Sequence, residues 1–237
     1  MKKLQAGAAK LGMDITPSQL DAFEVYFHEL IDWNKKVNLT AITAYEEVRD
    51  KHFLDSLTTA AVFDFKMVPS VIDVGTGAGF PGIPLKIIFP GIRLTLLEAT
   101  NKKTQFLEHL VGKLGLHDVE IVAGRAEDVA HNIQYREKYD VALSRAVASL
   151  HTLVELSLPF CKMGGTFIAY KKGNIQEELK SASKAIDIMG GRLKEVFPVD
   201  PALFDDNRCL VIIEKTKTTP GEYPRRPGIP GKRPLLP

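Results

Sequence analysis

Residues 71–85, Val-Ile-Asp-Val-Gly-Thr-Gly-Ala-Gly-Phe-Pro-Gly-Ile-Pro-Leu, contain the clearest structural pattern of the chain. An aliphatic run over residues 68–74 predicts a buried parallel strand, and an apolar, helix-like segment begins at Pro81. Three glycines stand between the strand and the helix: Gly75, Gly77 and Gly79. Glycine permits a positive φ and has no Cβ to keep a ligand from the backbone, while a helix start offers free amide groups. We therefore expect a strand, a tight loop and a helix start that hold a flat or anionic ligand.

Two classes of ligand use such a loop, and Asp73 helps to choose between them. A dinucleotide places its pyrophosphate on the helix N-terminus, usually after Gly-x-Gly-x-x-Gly, and a carboxylate two residues before the first glycine would repel it. S-adenosylmethionine instead carries an amino group and a sulfonium cation, which an acid at the strand end attracts. Glu98 ends a second predicted strand and could accept the ribose hydroxyls of either ligand. The Gly-x-Gly-x-Gly spacing and Asp73 together favour the methyl donor.

Strands and helices alternate over residues 63–217. Strands are predicted at residues 68–74, 93–98, 119–123, 139–143, 166–171, 192–199 and 208–215. Helical stretches, including residues 102–114 and 149–160, lie between them, and this alternation predicts an α/β fold with a parallel sheet wound on both faces. Only residues 198–207 separate the last two strands, which should form an antiparallel hairpin at the edge. Seven-stranded methyltransferases have such a hairpin, whereas dinucleotide-binding sheets usually lack it.

A helical unit is expected at the N-terminus, over residues 1–62. After a short first helix, Thr16 and Gln19 form a capping box that starts a long helix with one apolar face. A second capping box, from Thr43 to Glu46, is expected to start a helix that runs to the end of this unit. We expect the unit to pack against the sheet domain of residues 63–217.

The C-terminal residues 218–237 form a basic, proline-rich tail in this division of the chain. Net charge is only +2, yet residues 215–237 carry six Lys and Arg against one acid. Closely spaced prolines should hold the tail extended, so that it presents a line of cations to phosphates. The cations expected to contact RNA are Arg225, Arg226, Lys232 and Arg233. The competing interpretation is that residues 224–228 pack on the body and only stabilise it.

Composition places the chain among ordinary soluble proteins. Its 237 residues are 45% hydrophobic and 25% charged, which suits one full-sized domain with an appendage. No run approaches the roughly 18 apolar residues needed to cross a membrane, and the N-terminus lacks the apolar stretch of a signal peptide. Two cysteines make no disulfide framework and six histidines show no ligand spacing, so we expect a cytoplasmic protein without a metal.

Six segments resemble, in order, the signatures of a bacterial family of small-subunit ribosomal RNA methyltransferases called RsmG or GidB. The glycine loop and its extension Gly79-Phe-Pro-Gly-Ile-Pro-Leu85 form one of them. The others are Trp33-Asn34-x-Lys36-x-Asn38-Leu39-Thr40, His52-Phe53-x-Asp55-Ser56, Gly124-Arg125-Ala126-Glu127, Ser144-Arg145-Ala146-Val147 and Pro224-Arg225-Arg226-Pro227-Gly228. The resemblance covers nearly the whole chain, so it does not depend on one motif.

The resemblance implies a class I methyltransferase fold, a Rossmann-like seven-stranded sheet, with S-adenosyl-L-methionine as the cofactor. It also implies methyl transfer to nitrogen-7 of one guanine, guanine 527 in ribosomal RNA numbering, in 16S ribosomal RNA. The partner would be this RNA or the small ribosomal subunit, and we expect no membrane association and a monomer. Two alternatives stay open: a methyltransferase on another RNA base or a small molecule, and a non-catalytic sensor that binds S-adenosylmethionine.

Residues from four segments are expected to hold the cofactor. They are Asp73, Gly75, Gly77, Gly79, Phe80, Glu98, Ala126, Glu127 and Arg145. By the resemblance, the Ala126-Glu127 pair contacts the adenine, and Phe80 either walls the methionine end or belongs to the core. The segment around His52 and Asp55 borders the donor site in the family, although a helical histidine is more often a satisfied structural residue.

Ser144 and Arg145 follow the fourth predicted strand, where class I enzymes place catalytic residues, and Arg145 is expected to position the substrate. Enzymes that methylate an exocyclic amine carry Asp or Asn, Pro-Pro and an aromatic at this point, which this chain lacks. Enzymes that methylate carbon-5 of a pyrimidine need a nucleophilic cysteine, but Cys161 in a helix end and Cys209 in an edge strand are predicted to be packing residues. Guanine nitrogen-7 needs neither a base nor a covalent intermediate. Without the family, a plain salt bridge explains Arg145 equally well.

Overall fold

Seven strands form one sheet in the computed structural model of the chain, which describes residues 1–67 and 69–237. The strands are β1 (Ser70–Val74), β2 (Arg93–Glu98), β3 (Val119–Ala123), β4 (Tyr139–Ser144), β5 (Cys161–Lys172), β6 (Gly191–Pro198) and β7 (Arg208–Lys215). They lie in the order β3-β2-β1-β4-β5-β7-β6. The pairs among β1 to β5 are parallel, and β7 is antiparallel to both β5 and β6. The predicted α/β class and the edge hairpin are confirmed, although the expected start of the first strand, Val68, lies outside the described residues.

Ten α-helices are present among the described residues. They are α1 (Lys2–Lys10), α2 (Pro17–Asn34), α3 (Tyr45–Val48), α4 (Asp55–Leu57), α5 (Gly82–Ile88), α6 (Asn101–Leu114), α7 (Ala126–Val129), α8 (Leu150–Ser157), α9 (Gln176–Ile188) and α10 (Ile229–Lys232). A π-helix at Arg49–Leu54 joins α3 to α4, and 3₁₀ turns lie at Thr58–Ala61, Phe65–Met67 and Leu158–Phe160. Within residues 1–67 and 69–237, no helix is both long and apolar enough to span a membrane.

The central strands are buried on both faces because their side chains alternate between two hydrophobic clusters. Val71 on β1 and Leu143 on β4 belong to the cluster that α2, α5 and α6 cover. Ile72 on β1 and Ala142 on β4 point the other way, into the cluster that α8 and α9 cover. The near-continuous aliphatic runs of the sequence are therefore the runs expected of a parallel sheet between two helical layers. The N-terminal helices share the first cluster with the sheet, through buried residues such as Phe23.

One predicted helix start in the N-terminal segment is confirmed and the other is wrong. Thr16 and Gln19 form the expected reciprocal capping box at the start of α2. At the second site Ala44 is the cap residue, and no side chain caps α3. Tyr45, the first residue of α3, makes tertiary contacts instead: its ring packs edge-on against Phe27 and its hydroxyl donates to Glu24 on α2. The helical segment then extends to Ala61 as predicted, but it changes type three times.

The tail does not run extended over the surface, so that expectation is wrong. Thr219, Pro224 and Pro230 are buried against the body. Arg136 donates to the carbonyl oxygens of Thr219 and Tyr223, both at 2.8 Å. Proline excludes a helix interior but leaves carbonyl oxygens free to accept, and Pro230 fits the first turn of the short helix α10. The tail packs on the body, as the competing interpretation expected, while its contact with RNA stays a prediction.

Arg225 anchors the tail. Its Nε and Nη2 atoms donate to the two carboxylate oxygens of Glu155 on α8, at 2.8 and 2.6 Å, and its Nη1 donates to the carbonyl oxygen of Arg233. Glu155 is 1% exposed, so this bidentate pair is almost out of water. Arg226, Lys232 and Arg233 are exposed instead. The four tail cations therefore divide into one structural anchor and three surface charges.

We expect Arg225→Ala to lower the free energy of unfolding by about 2 to 3 kcal/mol, because it leaves the buried Glu155 carboxylate without its charged partner and with only the backbone amide of residue 225 as a donor. Urea unfolding followed by circular dichroism measures the change. The matched control is Arg226→Ala at the exposed neighbouring position, which should change stability by less than about 0.5 kcal/mol. Equal effects of the two substitutions would contradict the anchoring role of Arg225.

Candidate active site

The loop after β1 has the backbone that its glycines predict. Gly75, Gly77 and Gly79 have φ values of 71°, 62° and 97°. A Cβ on Gly79 would stand 2.7 Å from the Tyr26 hydroxyl, so this glycine permits close packing against α2. A Cβ on Gly77 would meet nothing within 4 Å. The loop therefore turns a bare backbone surface outward around Gly77, which suits a flat ligand lying on it.

Asp73 is hydrogen-bonded to both ends of this loop. One of its carboxylate oxygens, Oδ2, accepts from the hydroxyl of Thr76 at 2.6 Å and from the amide of Gly82 at 2.8 Å. Its other oxygen, Oδ1, is buried without a partner among the described residues. Burial raises the pKa of Asp73 to about 6, so the carboxylate still predominates at neutral pH. A buried acceptor with one free oxygen fits the amino group of S-adenosylmethionine, and its contact with the cofactor stays a prediction.

Glu98, at the end of β2, holds the loop from the side. Its Oε2 accepts from the amide of Gly77 at 3.0 Å and its Oε1 from the amide of Thr100 at 2.9 Å. Each carboxylate oxygen has a second lone pair, so these bonds leave acceptor capacity for ribose hydroxyls. The sequence placed Glu98 near the loop correctly. Its contact with a ribose is not tested by this geometry.

Phe80 is the centre of an aromatic stack. Its ring lies 5.1 Å from the ring of Tyr26, at 9°, and 4.5 Å from the ring of His52, at 17°. The guanidinium carbon of Arg145 lies 5.0 Å from the centre of the Phe80 ring, within cation–π range. Phe80 was expected either to wall the methionine end of the cofactor or to belong to the core. It is buried, so its present contacts are those of a core residue. The stack joins α2, the π-helix and the end of β4.

Arg145 is held by the helical segment that precedes the sheet. Its Nη1 donates to the carbonyl oxygen of Lys51 at 2.8 Å and to Oδ2 of Asp55 at 2.9 Å, and its Nη2 donates to Nδ1 of His52 at 3.0 Å. The other oxygen of Asp55 pairs with Nη1 of Arg208 at 2.6 Å. One carboxylate therefore bridges two guanidinium groups, one just after the end of β4 and the other at the start of β7.

His52 is a neutral link in this arrangement. Burial, with the nearby charge of Arg145, lowers the pKa of His52 to about 3. Since Nδ1 accepts from Arg145, Nε2 carries the proton and donates to the Thr40 hydroxyl at 2.8 Å. Asn34 accepts from the amide of Thr40 and donates to its carbonyl oxygen, so Asn34 fixes this loop. Side chains from three sequence motifs therefore form one hydrogen-bonded series.

Ser144 and Glu127 have partners that the sequence did not reveal. The hydroxyl of Ser144 is buried and donates to the carbonyl oxygen of Val74 at 3.0 Å, so it joins β4 to β1. Its proposed part in catalysis stays an untested prediction that this geometry does not favour. Glu127, next to Ala126 at the start of α7, accepts from the amide of Gly228 at 2.9 Å. The segment expected at the adenine therefore touches the docked tail.

A cavity of about 810 Å³ opens beside Arg145, at the carboxyl ends of β4 and β5. Its volume suits a nucleotide-sized ligand. Besides Arg145, its lining includes the cationic side chains Lys51, Lys171, Lys172 and Arg208, together with Asp55, Glu178 and Asp206. Lys171 and Arg208 were not among the predicted site residues, because nothing near them in the chain distinguishes them from other cations at strand ends. Their acidic neighbours Glu178 and Asp55 are contributed by other elements.

Both cysteines are packing residues, although their predicted locations were wrong. Cys161 begins β5 instead of ending a helix, and Cys209 lies on β7, which is covered by β5 and β6 and is not the edge strand. Both are buried and free. Burial raises the pKa of Cys161 to about 12 and also raises that of Cys209. Neither supplies a thiolate nucleophile at neutral pH.

The sheet order, the glycine loop and the acid at the end of β2 define a class I S-adenosylmethionine-dependent methyltransferase. A mutant of MtNAS in complex with S-adenosylmethionine is similar in structure, with a TM-score of 0.56, 17% identity, and coverage of 84% of this chain and 76% of that chain. A SAM-dependent methyltransferase from Aquifex aeolicus has a TM-score of 0.53 at 19% identity, covering 73% of this chain and 94% of that chain. At such identities the similarity shows the fold alone.

The family follows from the sequence of the whole chain. Residues 19–201 match the family model described as rRNA small subunit methyltransferase G. Curated relatives named ribosomal RNA small subunit methyltransferase G are 51% identical in Dehalococcoides mccartyi, over 100% of both chains, and 44% identical in Bacillus cytotoxicus, over 99% of this chain and 98% of the relative. The chain belongs to this family, which confirms the resemblance, and its cofactor is S-adenosylmethionine.

We expect Glu98→Ala to weaken the binding of S-adenosylmethionine by about 1 to 3 kcal/mol, because a charged acceptor is lost and the amide of Gly77 is released. Isothermal titration calorimetry on the folded variant measures the affinity. Glu108→Ala, at an exposed position on α6, is the matched control for the loss of one carboxylate. Unchanged affinity in Glu98→Ala would remove Glu98 from the cofactor site.

His52 should make the protein less stable in mild acid. Its pKa falls from an ordinary 6.5 to about 3 on folding, so unfolding takes up a proton between these values. The stability that the neutral ring contributes is complete above about pH 6.5 and is lost as the pH falls, by at most about 1.4 kcal/mol per pH unit. His52→Gln keeps a neutral side chain and should flatten the decline in urea stability between about pH 6 and 4.

Two comparisons make this pH experiment specific. Asp73 titrates in the same range but is present in both proteins, so its contribution cancels in the difference. His117→Gln, at an exposed position, controls for the loss of one imidazole. Parallel pH profiles of His52→Gln and the unmodified protein would show that His52 is not held neutral by the fold.

Proposed function

We propose that the chain transfers a methyl group from S-adenosylmethionine to nitrogen-7 of a guanine in the 16S ribosomal RNA of the small ribosomal subunit. The observation that carries this proposal is the similarity, over the whole chain, to relatives named ribosomal RNA small subunit methyltransferase G. The target within that RNA is proposed to be guanine 527, as the family resemblance implies.

The choice of nitrogen-7 is supported by the ion pairing of the acids around the cavity: in the part of the chain that the structure describes, each of them is held by at least one cation. Asp55 pairs with Arg145 and Arg208, and His52 accepts from Arg145. Glu178 pairs with Lys171 and also accepts from the amide of Leu150, and Asp206 pairs with Arg208. Nitrogen-7 has a free lone pair at neutral pH and loses no proton on methylation. A site that only aligns the two reactants is therefore sufficient for this atom.

The cofactor and the guanine would meet at the edge between the glycine loop and the cavity. Gly75, Gly77 and Glu98 would hold the cofactor, which supplies an electrophilic methyl group when bound. The guanine would enter the cavity beside Arg145, whose position over Phe80 suits a contact with the Hoogsteen edge of the base or with a phosphate. The side chains there exclude water and orient the base, and they transfer no proton.

The rest of the RNA is proposed to lie along the same edge of the sheet. Lys171 and Lys172 line the cavity, and helix α10 of the tail lies near the starts of α7 and α8. This placement follows because Gly228 donates to Glu127 and the hydroxyl of Thr152 donates to the carbonyl oxygen of Pro230 at 3.4 Å. The exposed tail cations Arg226, Lys232 and Arg233 then reach phosphates from the docked tail, while Arg225 serves as the anchor.

Methylation of defined RNA tests this function. The purified protein would be incubated with tritiated S-adenosylmethionine and either naked 16S ribosomal RNA or isolated small subunits, both from a strain that lacks the corresponding enzyme. Borohydride and aniline cleave RNA at 7-methylguanine, so primer extension maps the site. A single 7-methylguanine supports the proposal. A methyl group on another base supports the first alternative, and cofactor binding without transfer to either RNA supports the sensor.

The tail should contribute to RNA affinity through exposed charges. Each phosphate neutralised on a single strand contributes about −0.7 to the slope of log affinity against log salt, so the double variant Lys232→Ala, Arg233→Ala should lower the steepness of this slope by about 1.4. Fluorescence anisotropy with labelled RNA over a salt series measures it. Lys180→Ala with Lys184→Ala, at exposed positions on α9, is the matched control. An unchanged slope in the tail variant would withdraw the tail as an RNA contact.

A further inference from the structure

Val147 has an unusual place in the loop between β4 and α8. Its side chain is fully exposed, at 107% of the reference value, and it lines the cavity beside Arg145. Other large hydrophobic side chains are exposed on the described surface, namely Met67, Ile133, Met163, Leu193 and Leu236, but none of them lines this cavity. A single exposed valine is ordinary on a protein surface. An exposed valine at the mouth of a cation-lined cavity is a candidate contact.

The loop holds Val147 in one orientation. The amide of Ala148 donates to the carbonyl oxygen of Ala146 at 3.0 Å, which makes Val147 the centre of a γ-turn. Before the turn, Arg145 is fixed by Lys51, His52 and Asp55, as described above. After it, Nζ of Lys171 donates to the carbonyl oxygen of Ala148 at 2.6 Å. The valine therefore stands at the tip of a turn that is fixed on both sides.

The tip also lies where the two reactants meet. A Cβ on Gly75 would stand 3.7 Å from the Cβ of Ala146, so the loop touches the glycine loop expected to hold the methyl donor. On the cavity side, the lining has five cationic side chains against three acids, so its net charge is positive, and Lys172 is exposed. The apolar tip therefore stands between the expected donor loop and a positively charged cavity. These two features match a polyanion that carries apolar base faces. Ribosomal RNA has this chemistry.

We propose that Val147 is an apolar wedge that enters the base stack beside the target guanine and keeps that guanine unstacked in the cavity. This inference rests on the proposed function, because it requires a guanine within structured RNA as the substrate. A stacked base cannot reach the donor, and extruding it costs a few kcal/mol. Proteins that unstack nucleic acids insert rigid apolar side chains between neighbouring bases. The methyl groups of such a side chain replace part of the lost stacking. Val147 is therefore a specificity-determining residue for structured over unstructured RNA.

Two RNA substrates separate this role from others. The first is a folded 16S fragment that contains the target loop, and the second is a short oligonucleotide whose target guanine is flanked by abasic sites and needs no unstacking. Val147→Ser should lower kcat/KM on the folded fragment about ten-fold and leave the oligonucleotide rate unchanged. Val147→Leu keeps an apolar wedge and should retain most of the activity on the folded fragment. Ile133→Ser, at a site 81% exposed and away from the cavity, is the matched control.

A spectroscopic measurement follows the unstacking itself. With 2-aminopurine in place of the target guanine, the unmodified protein should raise its fluorescence on binding, and Val147→Ser should abolish most of that rise. S-adenosylmethionine affinity and urea stability should not change in this variant, since the side chain is exposed. Equal losses on both RNA substrates, or no loss on either, would overturn the wedge. If the unmodified protein methylates no RNA, the proposed function fails and the wedge with it. If the protein is active and Val147→Ser changes neither rate, the wedge alone is refuted.

Discussion

The carboxylate of Asp55 is the contact on which the arrangement of the active site depends. It lies buried between the guanidinium groups of Arg145 and Arg208, at 2.9 and 2.6 Å. A buried charge is tolerated only with close partners, and here the three groups come from the N-terminal helical segment, the end of β4 and the start of β7. The bridge therefore fixes the first 60 or so residues against the carboxyl edge of the sheet, where the donor loop and the cavity meet.

Its consequence is a rigid site in which each acid among the described side chains around the cavity is paired with a cation. Arg145 is oriented by Asp55, by the neutral ring of His52 and by the face of Phe80. The loop that follows Arg145 carries Val147 to the mouth of the cavity. Such a site performs alignment and exclusion of water, which is sufficient for a target atom with a free lone pair. The π-helix at Arg49–Leu54 fits this interpretation, because such irregular turns occur frequently at functional sites.

Sequence predicted best what local patterns determine. The glycine loop, each strand and the capping box at Thr16 are determined by a few adjacent residues, and all of them are present in the structure. The tail was misjudged because its docking depends on partners such as Glu155, 70 residues away in the chain. The contact of His52 with Arg145 spans 93 residues, so no local signal could reveal it, although the family motifs contained both residues. Long-range pairs between charged or polar side chains depend on how the sheet arranges the strand ends, which no local pattern specifies.

A double-mutant cycle on methyl transfer tests most directly whether Asp55 acts through Arg145. Turnover on 16S ribosomal RNA would be measured for Asp55→Asn, for Arg145→Ala and for the double variant, with S-adenosylmethionine affinity and urea stability measured in parallel. Our account predicts that Asp55→Asn lowers kcat about ten-fold or more, and that it has almost no further effect once Arg145 is absent, a coupling above about 1 kcal/mol. Independent, additive losses in the folded variants would contradict the account.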